Sequence, residues 1–132
     1  MTKRWKSSES TVTSLYYHLL WCPKYQREVL VDDVAVRLKE LLDEKAKTID
    51  LEIVSYEIMP DCVHLLVRAR PEDSPHFLIQ QLKSYTSHAM RIEFPSLKSR
   101  LPTLWTRNYY CCTVGRFSDD DINRFIESQR NI

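Results

Sequence analysis

Residues 59–67 read Met-Pro-Asp-Cys-Val-His-Leu-Leu-Val, and they constrain the fold more than any other stretch of the chain. Pro60 and Asp61 form a turn pair, and the apolar run after them predicts a strand. Side chains alternate along a strand, so Cys62 and His64 point to the same face, about 7 Å apart. A thiol and an imidazole on one strand face supply half of a metal site. The alternative is a buried Cys and a hydrogen-bonded His in an ordinary core strand.

Periodicity along the rest of the chain predicts an α+β domain. Strands are expected at residues 14–22, 51–59, 62–68 and 104–114, with the second and third joined as a hairpin. One helix is expected over 32–49 and another from Ser74-Pro75 to Pro95, because Ser is a good cap and Pro suits the first turn. Residues 95–102 are expected to form a loop, and Ser118 to cap a terminal helix. The order β-α-β-β-α-β, followed by a helix, is the ferredoxin-like pattern with an antiparallel sheet.

Length and composition favour one domain spanning residues 1–132, with residues 1–11 as a flexible arm. The 19 Lys and Arg residues against 18 Asp and Glu residues give a net charge of +1, so any basic surface has to be a local patch. No apolar run is long enough to cross a bilayer, and the polar N-terminus does not read as a signal peptide. The four cysteines lack the spacing of a disulfide scaffold. These features predict a cytoplasmic protein with reduced thiols and no membrane partner.

Residues 59–65 closely resemble the signature of the single-tyrosine HUH transposases, the TnpA-type enzymes of the insertion sequence 200/605 group. In that family the stretch normally reads Met-Pro-Asp-His-Val-His-Leu. The resemblance continues in Tyr-His-Leu-Leu-Trp-Cys-Pro-Lys-Tyr at 17–25, Leu-Trp-Thr-Arg-Asn-Tyr-Tyr at 104–110, Thr-Val-Gly at 113–115 and Ile-Asn-Arg-Phe-Ile-Glu-Ser-Gln at 122–129. In order and spacing it covers nearly the whole chain, and it implies the same ferredoxin-like core.

The resemblance implies an enzyme that cuts and rejoins single-stranded DNA. In the family, a tyrosine hydroxyl attacks a backbone phosphate and leaves a covalent 5′-phosphotyrosine and a free 3′-OH. A divalent metal, Mg²⁺ or Mn²⁺, polarises the phosphate oxygen. Its ligands are the two histidines of the strand and a Gln one helical turn after the tyrosine, since residues four apart share a helix face.

Two positions of this chain depart from the family pattern. His64 and Gln129 match the second histidine and the helix ligand, whereas Cys62 replaces the first histidine. Phe125 stands where the family has its tyrosine and lacks the hydroxyl for the covalent step. A thiolate is a soft ligand, so binding of Mg²⁺ or Mn²⁺ is expected to be weakened and Zn²⁺ becomes an alternative. The resemblance therefore predicts a copy impaired in cleavage, either naturally diverged or engineered at Phe125.

Cys62 and His64 are expected to face a shallow cleft that Gln129 reaches from its own or a partner subunit. The tyrosines that remain as substitute nucleophiles, Tyr85, Tyr109 and Tyr110, lack the spacing to Gln129.

DNA binding depends on more residues than cleavage does, so it is expected to persist. The candidate DNA contacts are Lys24, Arg27, Lys83, Tyr85, Lys98, Arg100 and Arg107. The cations fall in predicted loops, strand ends or the second helix, where they could follow a DNA backbone. Aromatic side chains, among them Tyr25, Trp105 and Tyr109, could stack on unpaired bases. The resemblance implies single-stranded hairpin DNA as the partner and a homodimer as the working unit.

Two other hypotheses stay open at the level of the sequence. One is a non-enzymatic, hairpin-binding DNA regulator built on the same fold. The other is a small Zn²⁺-binding protein that uses Cys22, Cys62 and His64. In a ferredoxin-like sheet the first and third strands are antiparallel neighbours, so Cys22 and Cys62 are expected to be close. A cleavage assay separates an active transposase from a regulator, and metal analysis tests the zinc protein.

Overall fold

A computed structural model describes residues 6–7, 12–13 and 15–114. Its elements are β1 (Lys6–Ser7), β2 (Val12–Thr13), β3 (Leu15–Trp21), α1 (Asp32–Thr48), β4 (Glu52–Met59), β5 (Cys62–Ala69), α2 (Pro75–Glu93), α3 (Pro95–Arg100) and β6 (Tyr110–Val114). Strands β3 to β6 form one antiparallel sheet in the order β4-β5-β3-β6. This is the α+β, ferredoxin-like arrangement that the sequence predicts, including the β4–β5 hairpin. The expected terminal helix, with Phe125 and Gln129, lies outside the described residues.

The two central strands, β3 and β5, divide the sheet into two faces. Their register pairs Trp21 with Val63 and continues without interruption to the other end of both strands. Val63 and Leu65 belong to the large core formed with α1 and α2. Because side chains alternate, Leu66 lies on the opposite face, where it forms a small second cluster with Tyr16 and Val114. The continuous apolar run of β5 is thus explained by burial on both faces.

Helix α1 is stabilised at its start by acidic side chains and at its end by backbone hydrogen bonds. Asp32 and Asp33 lie in the first turn, where the positive end of the helix dipole favours carboxylates. After the helix, Asp50 adopts a left-handed conformation with φ of 55°. This lets the Leu51 N–H donate to the carbonyl of Ala46 at 2.8 Å, which closes a Schellman motif.

Helix α2 is capped as the sequence predicts and packs beside α1. Ser74 is the N-cap, Pro75 occupies the first helical position, and the Ser74 Oγ accepts a hydrogen bond from the Phe77 N–H at 3.1 Å. Arg37 of α1 donates from Nε to the carboxylate of Glu93 at the end of α2, with a distance of 2.7 Å. The two helices together cover one face of the sheet.

Two predicted elements are wrong in the structure. Residues 95–100, predicted as a loop, form α3, because Pro95 occupies its first turn and Leu97 is buried beneath it. The predicted strand over 104–114 is regular only at β6. Leu104 and Trp105 are buried, and their segment bonds to the end of β3 instead: the Lys24 N–H donates to the Leu104 carbonyl at 2.8 Å. Their apolar character signalled burial, which is not specific to strands.

At the N-terminal end, β1 pairs antiparallel with β2, so part of the segment predicted as an arm contributes to a two-stranded pair. Within the described ranges, no helix combines the length and apolarity needed to cross a membrane.

We expect Ser74→Ala to lower the free energy of unfolding by about 1 kcal/mol, because it removes the acceptor for the Phe77 N–H. Urea denaturation followed by circular dichroism measures the change. Ser84→Ala is the matched control, since Ser84 is exposed within α2 and alanine has the higher helix propensity. Equal losses in the two variants would show that the cap contributes nothing specific.

Candidate functional site

The face of the sheet opposite α1 and α2 carries the residues that the sequence singles out. Val63 and Leu65 point into the helix-side core, so alternation places Cys62 and His64 on the other face of β5. This confirms that the two side chains share a strand face. Hereafter this surface is called the open face, meaning the side of β3–β6 that α1 and α2 do not cover.

A cross-strand row on the open face contains His64 and Tyr110. His64 of β5 is opposite Glu57 of β4 on one side and Leu20 of β3 on the other. Leu20 is in turn opposite Tyr110 of β6, whose side chain is 50% exposed. The register therefore brings a carboxylate, an imidazole and an accessible phenol into one line across the sheet.

Cys62 contacts a second cysteine. Its Sγ lies 2.9 Å from the Sγ of Cys22, which follows the last residue of β3, and both side chains are half-buried. The predicted proximity of the two cysteines is confirmed. Burial, the hydrogen bond with Cys22 and the nearby charges of Cys22 and Asp61 raise the pKa of Cys62 to about 12. At neutral pH the Cys62 side chain is therefore a thiol rather than a thiolate.

His18 is a site residue that the sequence interpretation missed. It lies on β3, 0% exposed, with its ring centroid 5.6 Å from that of His64 and 6.3 Å from that of Tyr110. Burial, and secondarily the charge of His64, lower the pKa of His18 to about 4, so it is neutral at pH 7. The signal was present in the sequence, because His18 is at a spacing of two residues from Leu20 and four from Cys22 on the same predicted strand.

His64 itself is only 3% exposed, which contrasts with the shallow cleft expected for it. Leu20 of β3 is opposite His64, and Tyr110 of β6 is opposite Leu20. The imidazole therefore lies among the side chains of the sheet rather than at its edge.

A buried arginine completes the far end of the open face. Arg68 of β5 is 3% exposed, and its guanidinium donates to the hydroxyl of Tyr16 from both Nε and Nη2. Nη1 donates to the carboxylate of Glu52 at 3.4 Å. A buried cation needs such partners to offset its loss of hydration. Nothing in the sequence periodicity distinguished Arg68 from a solvent-exposed strand residue.

The residues present do not fit a site for Mg²⁺ or Mn²⁺. The thiol of Cys62 is protonated and bonded to another sulfur, whereas these hard ions require oxygen or neutral imidazole donors. Across residues 15–114 and the two short strands before them, no three His, Cys, Asp or Glu side chains are grouped so that they could hold a metal ion. The Zn²⁺ set of Cys22, Cys62 and His64 does not meet this criterion either. The third predicted ligand, Gln129, lies outside the described residues, as does Phe125.

Three of the predicted DNA contacts lie on neighbouring segments. Lys24 and Arg27 follow β3, and Arg107 lies in the segment before β6. The two segments are joined by a hydrogen bond from the Thr106 N–H to the Cys22 carbonyl at 2.9 Å. Tyr25 between them is 65% exposed, and the Lys24 ammonium lies 5.4 Å from its ring centroid. We refer to Lys24, Tyr25, Arg27 and Arg107 as the basic edge.

Of the other predicted contacts, Lys83 adjoins this edge, with its ammonium 3.5 Å from the Arg107 carbonyl, whereas Tyr85, Lys98 and Arg100 belong to α2 and α3. The Lys83 ammonium is buried and donates to the carbonyl of Thr106 at 2.6 Å, and this burial lowers its pKa. Tyr85, on α2, donates its hydroxyl to Glu44 of α1 at 3.0 Å, on the helical side of the sheet. Lys98 lines a groove of about 860 Å³ between α2 and α3, and Arg100 ends α3.

Trp105 is a core residue rather than an exposed stacking platform. It is 5% exposed, its ring lies edge-on to Trp21 with centroids 5.9 Å apart, and its indole N–H donates to the Thr86 hydroxyl at 3.0 Å. The expectation that it stacks on bases is therefore wrong. Tyr109 is half-buried with its hydroxyl 2.9 Å from His76 Nδ1.

Comparison with known proteins places this geometry in a known group. Residues 11–129 match the family described as Transposase IS200 like. The chain is 38% identical over 128 residues to the ISDra2 transposase TnpA of Deinococcus radiodurans. The aligned residues cover 96% of this chain and 91% of that protein. It is 26% identical over 113 residues to the transposase for insertion sequence element IS200 of Salmonella typhimurium. The aligned residues cover 84% of this chain and 74% of that protein.

Solved structures give the same grouping. A crystal structure from Deinococcus radiodurans R1, described as that of a transposase, has a TM-score of 0.78 and 38% identity, covering 94% of this chain and 97% of that one. A REP-associated tyrosine transposase solved with a REP hairpin has a TM-score of 0.63 at 12% identity. The superposition covers 90% of this chain and 67% of that one. At that identity the second likeness shows a shared fold.

The lowered pKa of His18 makes stability depend on pH. The folded state holds His18 neutral down to about pH 4, whereas the unfolded chain takes up a proton near pH 6.5. Stability is therefore complete above pH 6.5 and is lost as the pH falls from 6.5 toward 4. We expect His18 alone to remove about 2 kcal/mol between pH 7 and pH 5.

Urea denaturation at the two pH values measures this loss. His18→Phe should reduce the difference between pH 7 and pH 5 by that amount, because phenylalanine does not titrate. His88→Gln is the control, since His88 is exposed on α2 and is solvated in both states. An unchanged pH difference in His18→Phe would contradict the assignment.

Proposed function

The chain belongs to the IS200-like transposase family, and on that premise we propose that it binds single-stranded hairpin DNA without cutting it by the family's tyrosine chemistry. The observation that carries this proposal is the 2.9 Å contact between Cys62 and Cys22 on the open face. At the position where the resemblance implies a histidine ligand, this chain has a protonated thiol engaged with a second thiol.

Loss of cleavage follows from two independent chemical changes. Phe125 has no hydroxyl, so it cannot form a phosphotyrosine. Cys62 cannot act as a hard or neutral nitrogen ligand, so the polarisation of the phosphate that a divalent metal supplies is weakened as well. Either change alone impairs the reaction, and together they remove both the nucleophile and part of its electrophilic assistance.

Retention of DNA binding is supported by the basic edge. Lys24, Arg27 and Arg107 are contributed by two segments that are hydrogen-bonded to each other, so the backbone brings the three residues to one edge of the domain. Tyr25 offers an exposed ring for stacking among them. A protein of the same fold has been solved with a REP hairpin, which is consistent with hairpin DNA as the ligand.

A DNA-binding regulator derived from a transposase is the non-enzymatic form of the same proposal.

The family resemblance also implies a homodimer, and we propose that this chain is one. Sedimentation equilibrium at tens of micromolar protein tests it, and a monomer at that concentration would overturn the dimer without affecting the binding proposal.

Restoration of both family residues should recover cleavage. With Mn²⁺ and a hairpin oligonucleotide, we expect no covalent DNA–protein adduct from the unmodified chain and little from Phe125→Tyr alone. Phe125→Tyr combined with Cys62→His should give an adduct, seen as a slower band on a denaturing gel. The double variant with EDTA is the control for the metal requirement.

An adduct formed by the unmodified chain would show that another tyrosine is the nucleophile. Tyr110→Phe is then the first variant to test, because Tyr110 is the accessible tyrosine on the open face beside His18. The hydroxyl of Tyr85 is bonded to Glu44, that of Tyr109 to His76 and that of Tyr110 to Cys112, so exposure on the open face is what ranks Tyr110 first.

The basic edge makes a separate prediction for binding. Arg27→Gln and Arg107→Gln should each weaken hairpin binding and reduce the slope of log affinity against log salt by about 0.7, the value for one released counterion on a single strand. Fluorescence anisotropy across 50–300 mM NaCl measures the slope. Lys47→Gln is the matched control, because Lys47 is exposed at the end of α1, on the helical side of the sheet. Slopes that change equally in all three variants would reject the basic edge as the binding surface.

A further inference from the structure

Cys22 and Cys62 lie opposite each other one step beyond the terminal Trp21–Val63 pair of the β3–β5 ladder. The register pairs Leu20 with His64 and Trp21 with Val63, so the next step along both strands sets Cys22 opposite Cys62. Their sulfur atoms lie 2.9 Å apart, on the same face of the sheet, and both side chains remain half-buried rather than sealed in the core.

The backbone around this pair favours a close approach of the side chains. The Cys22 carbonyl accepts from the Thr106 N–H at 2.9 Å, on the side of β3 away from β5. Because the N–H and C=O of one strand residue point to the same side, the Cys22–Cys62 pair is of the non-hydrogen-bonded type. In such pairs the Cα atoms are about 4.5 Å apart. That separation lies at the short end of the range that a disulfide spans, roughly 4.4 to 6.8 Å.

We propose that Cys22 and Cys62 are a reversible redox pair that closes to a disulfide between the end of β3 and the start of β5. With a peroxide as oxidant, the two thiols lose two electrons and two protons as the S–S bond forms. The O–O bond of hydrogen peroxide breaks, and two molecules of water leave. A dithiol reductant reverses the reaction by exchange through a mixed disulfide.

The position of the pair gives the oxidation a local consequence. The bond would form two residues from His64 and would fix the first residue of β5 to β3, next to the basic edge. Both cysteines are half-buried rather than sealed in the core, and exposed disulfides are the readily reduced ones. Reversibility is therefore the expected behaviour.

The remaining cysteines provide an internal control. Cys111 and Cys112 are consecutive on β6, so their side chains face opposite sides of the sheet. Cys112 is opposite His18 in the register, four residues from Cys22 on β3. Neither has a thiol directly across the ladder.

The experiment oxidises the full chain with equimolar hydrogen peroxide, alkylates residual thiols and digests with trypsin without reduction. We expect a cross-linked product of peptides 7–24 and 48–68, lighter than their sum by two hydrogens and separated by dithiothreitol. Cys22→Ser and Cys62→Ser should lose the product, and Cys112→Ser should retain it. Circular dichroism of each variant verifies that it is folded.

A second readout is independent of peptide recovery. Closing the loop between residues 22 and 62 should raise the melting temperature of the oxidised protein by about 10 °C, and the rise should be absent from Cys62→Ser. Three results would each overturn the proposal. They are alkylation of both Cys22 and Cys62 after oxidation, cross-links confined to Cys111 and Cys112, and bound Zn²⁺ that blocks oxidation. These readouts use no DNA, so a failure of the redox proposal can be distinguished from a failure of the proposed function.

Discussion

The register between β3 and β5 is the constraint on which the rest of the structure depends. A shift of one residue would exchange the two faces of the strand that moves. In the observed register, Val63 and Leu65 enter the core beneath α1 and α2, and their neighbours Cys62 and His64 are directed to the open face. Burying the helix-side set contributes most of the free energy that fixes this choice, because each large apolar side chain gains about 1.5–3 kcal/mol on burial.

The chemistry of the open face follows from this register together with burial. His18 and His64 are brought within ring-contact distance in a poorly hydrated environment, which disfavours a charge on His18. The same environment keeps the Cys62 thiol protonated beside Cys22. In the part of the face that resembles a metal site by its sequence position, the side chains of His18 and Cys62 are thus uncharged at pH 7. Arg68 is the buried cation at the far end of the face, and the cations of the basic edge lie at its other margin, where water can still solvate them.

The segment between α3 and β6 shows how tertiary contacts replace regular secondary structure. It has the apolar and aromatic residues of a strand, but only its last part pairs along the sheet. Trp105 is held by its indole N–H to Thr86, and the ammonium of Lys83 donates to the carbonyl of Thr106. A lysine that sequence position alone would assign to a nucleic acid surface therefore has a structural role, since it satisfies carbonyls that no strand partner reaches.

The sequence by itself determined the order of elements, the β4–β5 hairpin, both ends of α2 and the shared face of Cys62 and His64, because these depend on local periodicity, caps and turns. It also indicated the family, through motifs whose spacing is read directly. Only the tertiary structure decided how closely the sulfur atoms of Cys62 and Cys22 approach, that His18 joins the site and that Lys83 and Trp105 are buried. These outcomes depend on which strands are neighbours and how far each side chain is removed from water, and a pattern along one chain does not encode either quantity.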